Sequence, residues 1–62
     1  MKYNYIEYFE NKEDGLASFV FYNKEKLICT GFKDTDSDNI IEIRSGFKSL
    51  ELAIEYAKSL LN

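Results

Sequence analysis

Histidine is absent from this chain of 62 residues, and cysteine occurs once. Without histidine there is no Ser–His–Asp triad and no imidazole acid–base catalysis, and zinc sites built from Cys and His are excluded. A single cysteine cannot form a disulfide framework. No apolar run approaches the roughly 18 residues of a transmembrane helix, and Met1-Lys2 is not followed by the apolar segment of a secretory signal. We therefore expect a cytoplasmic, non-enzymatic protein that uses no cofactor and binds no membrane.

Basic residues are few and dispersed: eight Lys and Arg stand against eleven Asp and Glu, a net charge of -3 at pH 7. Nucleic-acid affinity comes largely from Lys and Arg side chains that neutralise phosphates. Only Lys24 and Lys26 lie close together, and Glu25 separates them. Direct nucleic-acid binding is therefore a disfavoured alternative.

The length and composition are those of one small domain, residues 1–62. Hydrophobic residues make up 45% of the chain and charged residues 31%, as in a soluble globular domain. A chain of this size buries only about 60% of the surface that its unfolded form exposes, so its core is thin.

Four segments carry the alternation and the aromatic or β-branched residues typical of strands. They span residues 2–10, 16–22, 26–32 and 39–44. Polar segments separate them, and the first of these ends in Asp14-Gly15, a hairpin signal. Gly31 in the third strand indicates a bulge or a close approach to the backbone.

From Ser49 the period changes to that of a helix. Ser49 is a good N-cap residue, and Glu51 suits the positive end of the helix dipole. Glu51, Glu55, Lys58 and Ser59 fall on the outer side. The predicted core stripe consists of Leu50, Ala53, Ile54, Ala57, Leu60 and Leu61.

The predicted fold is α+β: a three- to four-stranded antiparallel meander with one C-terminal helix packed on one face. Strict alternation points Tyr3, Tyr5 and Phe9 to one face of the first strand, and Ile6 and Tyr8 to the other. Both sheet faces are then apolar or aromatic, yet one helix covers only one of them. Three interpretations of the uncovered face are open: solvent-exposed tyrosine rings, a homodimer contact, or a docking face for another protein.

The loop between the third and fourth strands carries three alternate carboxylates, Asp34, Asp36 and Asp38. They match the first three ligand positions of an EF-hand calcium loop. Asn39 stands where that loop needs Gly, and Ser45 where it needs Glu. A solvated acidic turn is therefore favoured, and a small ligand- or cation-binding protein is kept as an alternative.

The strand-to-helix junction at residues 46–54 reads GFKSLELAI. It resembles that of the small arm-binding domains of phage integrases, in which an antiparallel sheet is also followed by one helix. That resemblance implies DNA binding. This chain lacks the basic sheet face that such binding would use.

The leading hypothesis is a non-enzymatic protein-interaction module, of the kind found among small phage or mobile-element inhibitors and accessory proteins. Its partner would be another protein, with a basic nucleic-acid-processing enzyme as one candidate, and a homodimer is a further option. The candidate partner-binding residues are Tyr3, Tyr5, Tyr8, Tyr22, Asp34, Asp36, Asp38, Glu42, Glu51 and Glu55.

Overall fold

The computed structural model describes residues 5–37 and 39–61, and this part of the chain forms one antiparallel sheet and one helix. The strands follow one another in the sheet in the order β1-β2-β3-β4, so the sheet is a simple meander. The predicted α+β fold is confirmed. The elements are β1 (Tyr5–Asn11), β2 (Leu16–Tyr22), β3 (Ile28–Asp34), β4 (Ile40–Ser45) and α1 (Leu50–Ser59).

The β1–β2 turn forms where the sequence predicts it. The Asn11 side-chain oxygen accepts hydrogen bonds from the backbone N–H groups of Glu13 and Asp14, at 3.1 and 3.2 Å. Gly15 closes the turn with φ +65°, a left-handed conformation that glycine adopts at little cost. The turn is therefore specified by local side-chain chemistry.

The third strand lies two residues later than predicted, at Ile28–Asp34 instead of residues 26–32. The Asn23 side chain accepts hydrogen bonds from the N–H groups of Glu25 and Leu27 and so extends the turn. Lys26 adopts φ +64° within it. At the other end, Lys33 and Asp34 continue the strand because they pair with β2.

Helix α1 begins as predicted at Ser49, whose hydroxyl accepts from the N–H of Leu52 at 3.2 Å. Its inner face presents Ala53 and Ala57, both fully buried, against Val20 of β2. These small residues let the helix lie close to the sheet. Leu50 and Ile54 pack around them, as the stripe predicts, together with Ile6, Phe9, Ile28 and Phe47. Leu60 and Leu61 are half-buried.

A second buried cluster lies on the sheet face that α1 does not cover. It consists of Phe19, Phe21 and Cys29, with Ile40 packed against them. Gly31 lies beneath the Phe19 ring, and a Cβ atom there would be only 2.3 Å from two ring atoms. The close approach predicted at Gly31 is therefore confirmed, and the approaching group is an aromatic side chain.

A bulge in β1 changes which side chains share a face. Tyr5 pairs with Phe21 and Glu7 with Val20, so one extra residue, Ile6, lies between them. The predicted alternation, with Tyr5 and Tyr8 on opposite faces, is wrong. Tyr5 and Tyr8 lie together on the uncovered face, whereas Ile6 and Phe9 pack beneath the helix.

Candidate protein-binding face

The tyrosine face is the sheet face opposite α1, with Tyr5, Tyr8, Phe19, Phe21 and Ile43 as its large side chains. The registers place these residues on one side, because Tyr8 pairs with Phe19, Phe19 with Gly31, and Gly31 with Ile43. Directly paired residues in a sheet point to the same face. The face is aromatic on β1 and β2 and continues as apolar surface to Ile43 on β4.

Three rings form a compact group at the β1 side of this face. The Tyr5 and Tyr8 centroids are 5.2 Å apart, and that of Tyr5 is 4.6 Å from Phe19. The Tyr8 ring lies nearly parallel to that of Phe19, with an interplanar angle of 12°. Tyr5 and Tyr8 remain 43% and 39% exposed, whereas Phe19 is fully buried. The two tyrosines therefore offer ring surface to solvent while their inner sides are packed.

The support beneath the rings is closely packed. Phe19 contacts Phe21 at a centroid distance of 5.7 Å and lies against the backbone at Gly31. Aromatic pairs at such distances contribute about 0.5–1.5 kcal/mol each beyond the area that they bury. The inner sides of both tyrosine rings are therefore held by packing against Phe19.

The margins of the tyrosine face differ in chemistry. At the end near the β1–β2 turn, Glu10 and Lys33 flank Ala17 in register. On β4, Ile43 is 47% exposed. The face therefore combines exposed aromatic and aliphatic surface with two charged residues, Glu10 and Lys33, at the end near the β1–β2 turn. Ile43 is a member that the sequence analysis missed, because its side depends on the register with β3.

Tyr22 does not belong to this surface. It is the last residue of β2 and pairs with Ile28, which packs on the helix side of the sheet. Its ring is 54% exposed there. The structure therefore separates Tyr22 from Tyr5 and Tyr8. Tyr3, the fourth tyrosine proposed for partner binding, lies outside the described residues.

The acidic candidates do not gather into one surface. Asp34 is the last residue of β3, and Asp36 lies in the turn that follows. Both lie near the end of the sheet where Asn11 hydrogen-bonds the C-terminal end of the helix. Glu51 lies in the first turn of α1, at the opposite end of the helix, with Glu55 one turn further along. Glu42 lies on β4. All five are exposed, and Asp38 falls outside the described residues.

The loop after β3 holds no cluster of metal-ligating side chains in the described ranges 5–37 and 39–61. No group of three or more Asp, Glu, Cys or His side chains there is arranged to hold an ion. Its hydrogen bonds are those of a turn: Ser37 N–H to the Asp34 carbonyl, and Asn39 N–H to the Ser37 hydroxyl.

Cys29 is buried in the cluster under the tyrosine face, and its thiol lies 3.4 Å from the Leu27 carbonyl oxygen. Burial raises the pKa of the Cys29 thiol, and the Glu25 charge adds to the increase, while a backbone hydrogen bond at Asn23 opposes it. A raised pKa keeps the thiol protonated at neutral pH. Cys29 therefore packs as a small buried hydrophobic residue.

Two contacts that the sequence analysis missed secure the end of the helix. The Ser18 hydroxyl donates to the Ala57 carbonyl at 2.6 Å in a buried position, and the Asn11 amide donates to the Leu61 carbonyl at 3.0 Å. Carbonyls in the last turn of a helix lack partners within the helix. Beside this end, an open depression lies between Phe9 and Lys58, whose ammonium is 5.6 Å from the ring centroid.

None of the helices in the described ranges has the length and apolar character needed to cross a membrane. No protein-family model, curated protein or solved structure matches this chain.

Proposed function

We propose that this chain is a non-enzymatic protein-interaction module that binds another protein through the tyrosine face. The observation that carries the proposal is the pair of half-exposed rings, Tyr5 and Tyr8, held 5.2 Å apart on buried Phe19. Tyr is enriched in the centres of protein interfaces, where few residues supply most of the binding energy.

The physical argument rests on preorganisation. A flexible side chain loses conformational freedom when it is immobilised in an interface, and that loss weakens binding. Tyr5 and Tyr8 are already packed on one side by Phe19, so little of this freedom remains to be lost. Their hydroxyl groups can still form hydrogen bonds with a partner or with water.

The partner's contact surface would carry Arg and Lys side chains next to apolar groups. The chain has a net charge of -3, which attracts basic surfaces over several ångströms. The faces of tyrosine rings also bind cations. Within this chain the Arg44 guanidinium carbon already lies 5.0 Å from the Tyr56 ring centroid, and Lys58 lies over Phe9.

A basic nucleic-acid-processing enzyme is the partner class that this chemistry favours. A small inhibitor or accessory protein from a phage or mobile element is the biological class that we propose with it. In such a complex the tyrosine face would contact the enzyme, and the dispersed carboxylates would contribute long-range attraction more than specific contacts.

The test has two steps: photo-crosslinking to identify the partner, and calorimetry to measure its affinity. A benzoylphenylalanine at position 8 would be cross-linked in a lysate of the native host, with position 22 as the matched site on the other face. The protein captured only through position 8 would then be purified and titrated calorimetrically against wild type, Tyr5→Ser, Tyr8→Ser and Tyr22→Ser. We expect the first two variants to lose affinity by at least about tenfold and Tyr22→Ser to lose little.

Binding to the wild type should also weaken as salt rises, since the proposed partner surface is basic. Equal losses for Tyr8→Ser and Tyr22→Ser, with both variants folded by circular dichroism, would contradict the tyrosine face as the site. Capture of nucleic acid alone, or of calcium-dependent partners alone, would favour the alternative functions instead.

A further inference from the structure

Strand β4 forms an open edge of the sheet. It pairs with β3 on one side, and no strand in the described part of the chain pairs with its outer side. Every residue after Ile40 in this strand is exposed, with Ile41 at 56% and Ile43 at 47%. An edge of β-branched residues with free backbone groups is a template for another strand.

The backbone restricts how a second copy of β4 could pair with the first. Successive residues of an edge strand direct their N–H and C=O groups alternately toward the neighbouring strand and away from it. Two antiparallel copies of β4 would be related by a two-fold axis perpendicular to the sheet. This axis must pass through a residue, because an axis between two residues would pair a residue whose backbone groups point outward with one whose groups point inward. The register between β3 and β4 shifts at Ile41, so β4 alternates regularly only from Glu42 to Ser45. An axis through Glu42 or Ile43 keeps most of the strand beside its copy, whereas axes further along leave half of it unpaired.

Charge selects between these two registers. An axis through Glu42 places two Glu42 carboxylates directly opposite each other, which is destabilising. An axis through Ile43 places Glu42 opposite Arg44 of the second copy, twice, and packs Ile43 against its own copy. Glu42 and Arg44 lie on the same face of β4, since they pair with Phe32 and Thr30 of β3.

We infer that this chain forms a homodimer through β4, with a two-fold axis at Ile43 that joins the two sheets into one. Antiparallel pairing puts both helices on one face and both tyrosine faces on the other. Helix α1 packs on β1, β2 and β3, and the Arg44 side chain of β4 reaches the Tyr56 ring of the helix. The edge is consequently open to a second copy.

Charge reversal provides a specific test. Glu42→Arg places Arg opposite Arg44, and Arg44→Glu places Glu opposite Glu42, so each variant alone should dissociate. Mixed in equal amounts, the two variants restore both ion pairs in a heterodimer. We expect wild type to dimerise with rising concentration in light scattering, each reversal to weaken dimerisation by at least about tenfold, and the mixture to recover it.

Glu55→Arg, on the outer surface of α1, is the matched control and should dimerise like the wild type. Recovery on mixing cannot come from misfolded chains, so a folding defect would not imitate the expected result. A wild type that stays monomeric up to about 1 mM would overturn the inference. If neither charge reversal weakens the dimer, or if Tyr8→Ser disrupts it, then the dimer contact is not β4.

Discussion

The two faces of this sheet are buried in different ways. On the covered face, small residues of α1 lie close to Val20, and a buried hydrogen bond joins Ser18 to the helix. On the tyrosine face, large side chains of the sheet itself, Phe19 and Phe21, are buried with tyrosine rings packed over Phe19. One face is closed by a second layer, the other partly by its own aromatic residues.

The difference shows how a small domain can use both faces of one sheet. Apolar area on the covered face is removed from water by the helix, which stabilises the fold. Apolar area on the tyrosine face is only partly removed, because Tyr5, Tyr8 and Ile43 stay exposed by about half. The same rings therefore protect the core beneath them and still expose part of their surface to solvent.

The sharpest way to break the tyrosine face is Gly31→Ala. The added Cβ would lie 2.3 Å from atoms of the Phe19 ring, and Phe19 is fully buried and cannot move aside freely. We expect a loss of at least about 2 kcal/mol in the free energy of unfolding, measured by urea denaturation.

Two comparisons make that result specific. Ser45→Ala on exposed β4 should change stability by less than about 0.5 kcal/mol. Combined with Phe19→Leu, which removes the clashing ring, Gly31→Ala should cost clearly less than it does alone. Strict additivity of the two substitutions would show that the ring and Gly31 are not in contact.

Ser18→Ala is the corresponding test of the covered face. It removes the buried 2.6 Å hydrogen bond to Ala57 and leaves that carbonyl without its side-chain donor. We expect a loss of about 1–2 kcal/mol in the free energy of unfolding. Ser59→Ala is the control, since Ser59 makes a bond of similar length to Tyr56 on the exposed side. Similar losses for both serines would mean that burial does not matter here.

The smallest expected effect is a gain in stability on the covered face. The buried Thr30 hydroxyl has no hydrogen-bond partner among the residues that the structure describes. Thr30→Val keeps the side-chain shape and removes this group, so we expect stabilisation by about 1 kcal/mol and a higher Tm. Thr30→Ser, which keeps the hydroxyl and loses the methyl group, should destabilise the protein. A Thr30→Val variant less stable than wild type would indicate a hydroxyl partner.

Local signals in the sequence predicted the helix and most of the sheet. Ser49 as N-cap and the spacing of Ala53 and Ala57 located α1, because a helical stripe depends only on residues a few positions apart. The β1–β2 turn was equally local, since Asn11 and Gly15 organise it. The start of β3 was missed by two residues because the Asn23 side chain extends the preceding turn.

The tyrosine face could not be predicted in the same way. Which side Tyr5 and Tyr8 occupy depends on the bulge at Ile6, and a bulge is a property of the pairing between β1 and β2. Strict alternation separates the two rings, and Tyr22 is a candidate only because of its residue type. One extra residue in a strand reverses the side of everything before it.

The sequence by itself determined the α+β class, the position of the helix and its apolar stripe, because these follow from short-range periodicity and capping. Only the tertiary structure decided which aromatic residues meet, which face they occupy and how Phe19 fits over Gly31. The physical reason is that strand register and bulges are set by long-range pairing, in which each side chain's position depends on a strand elsewhere in the sequence.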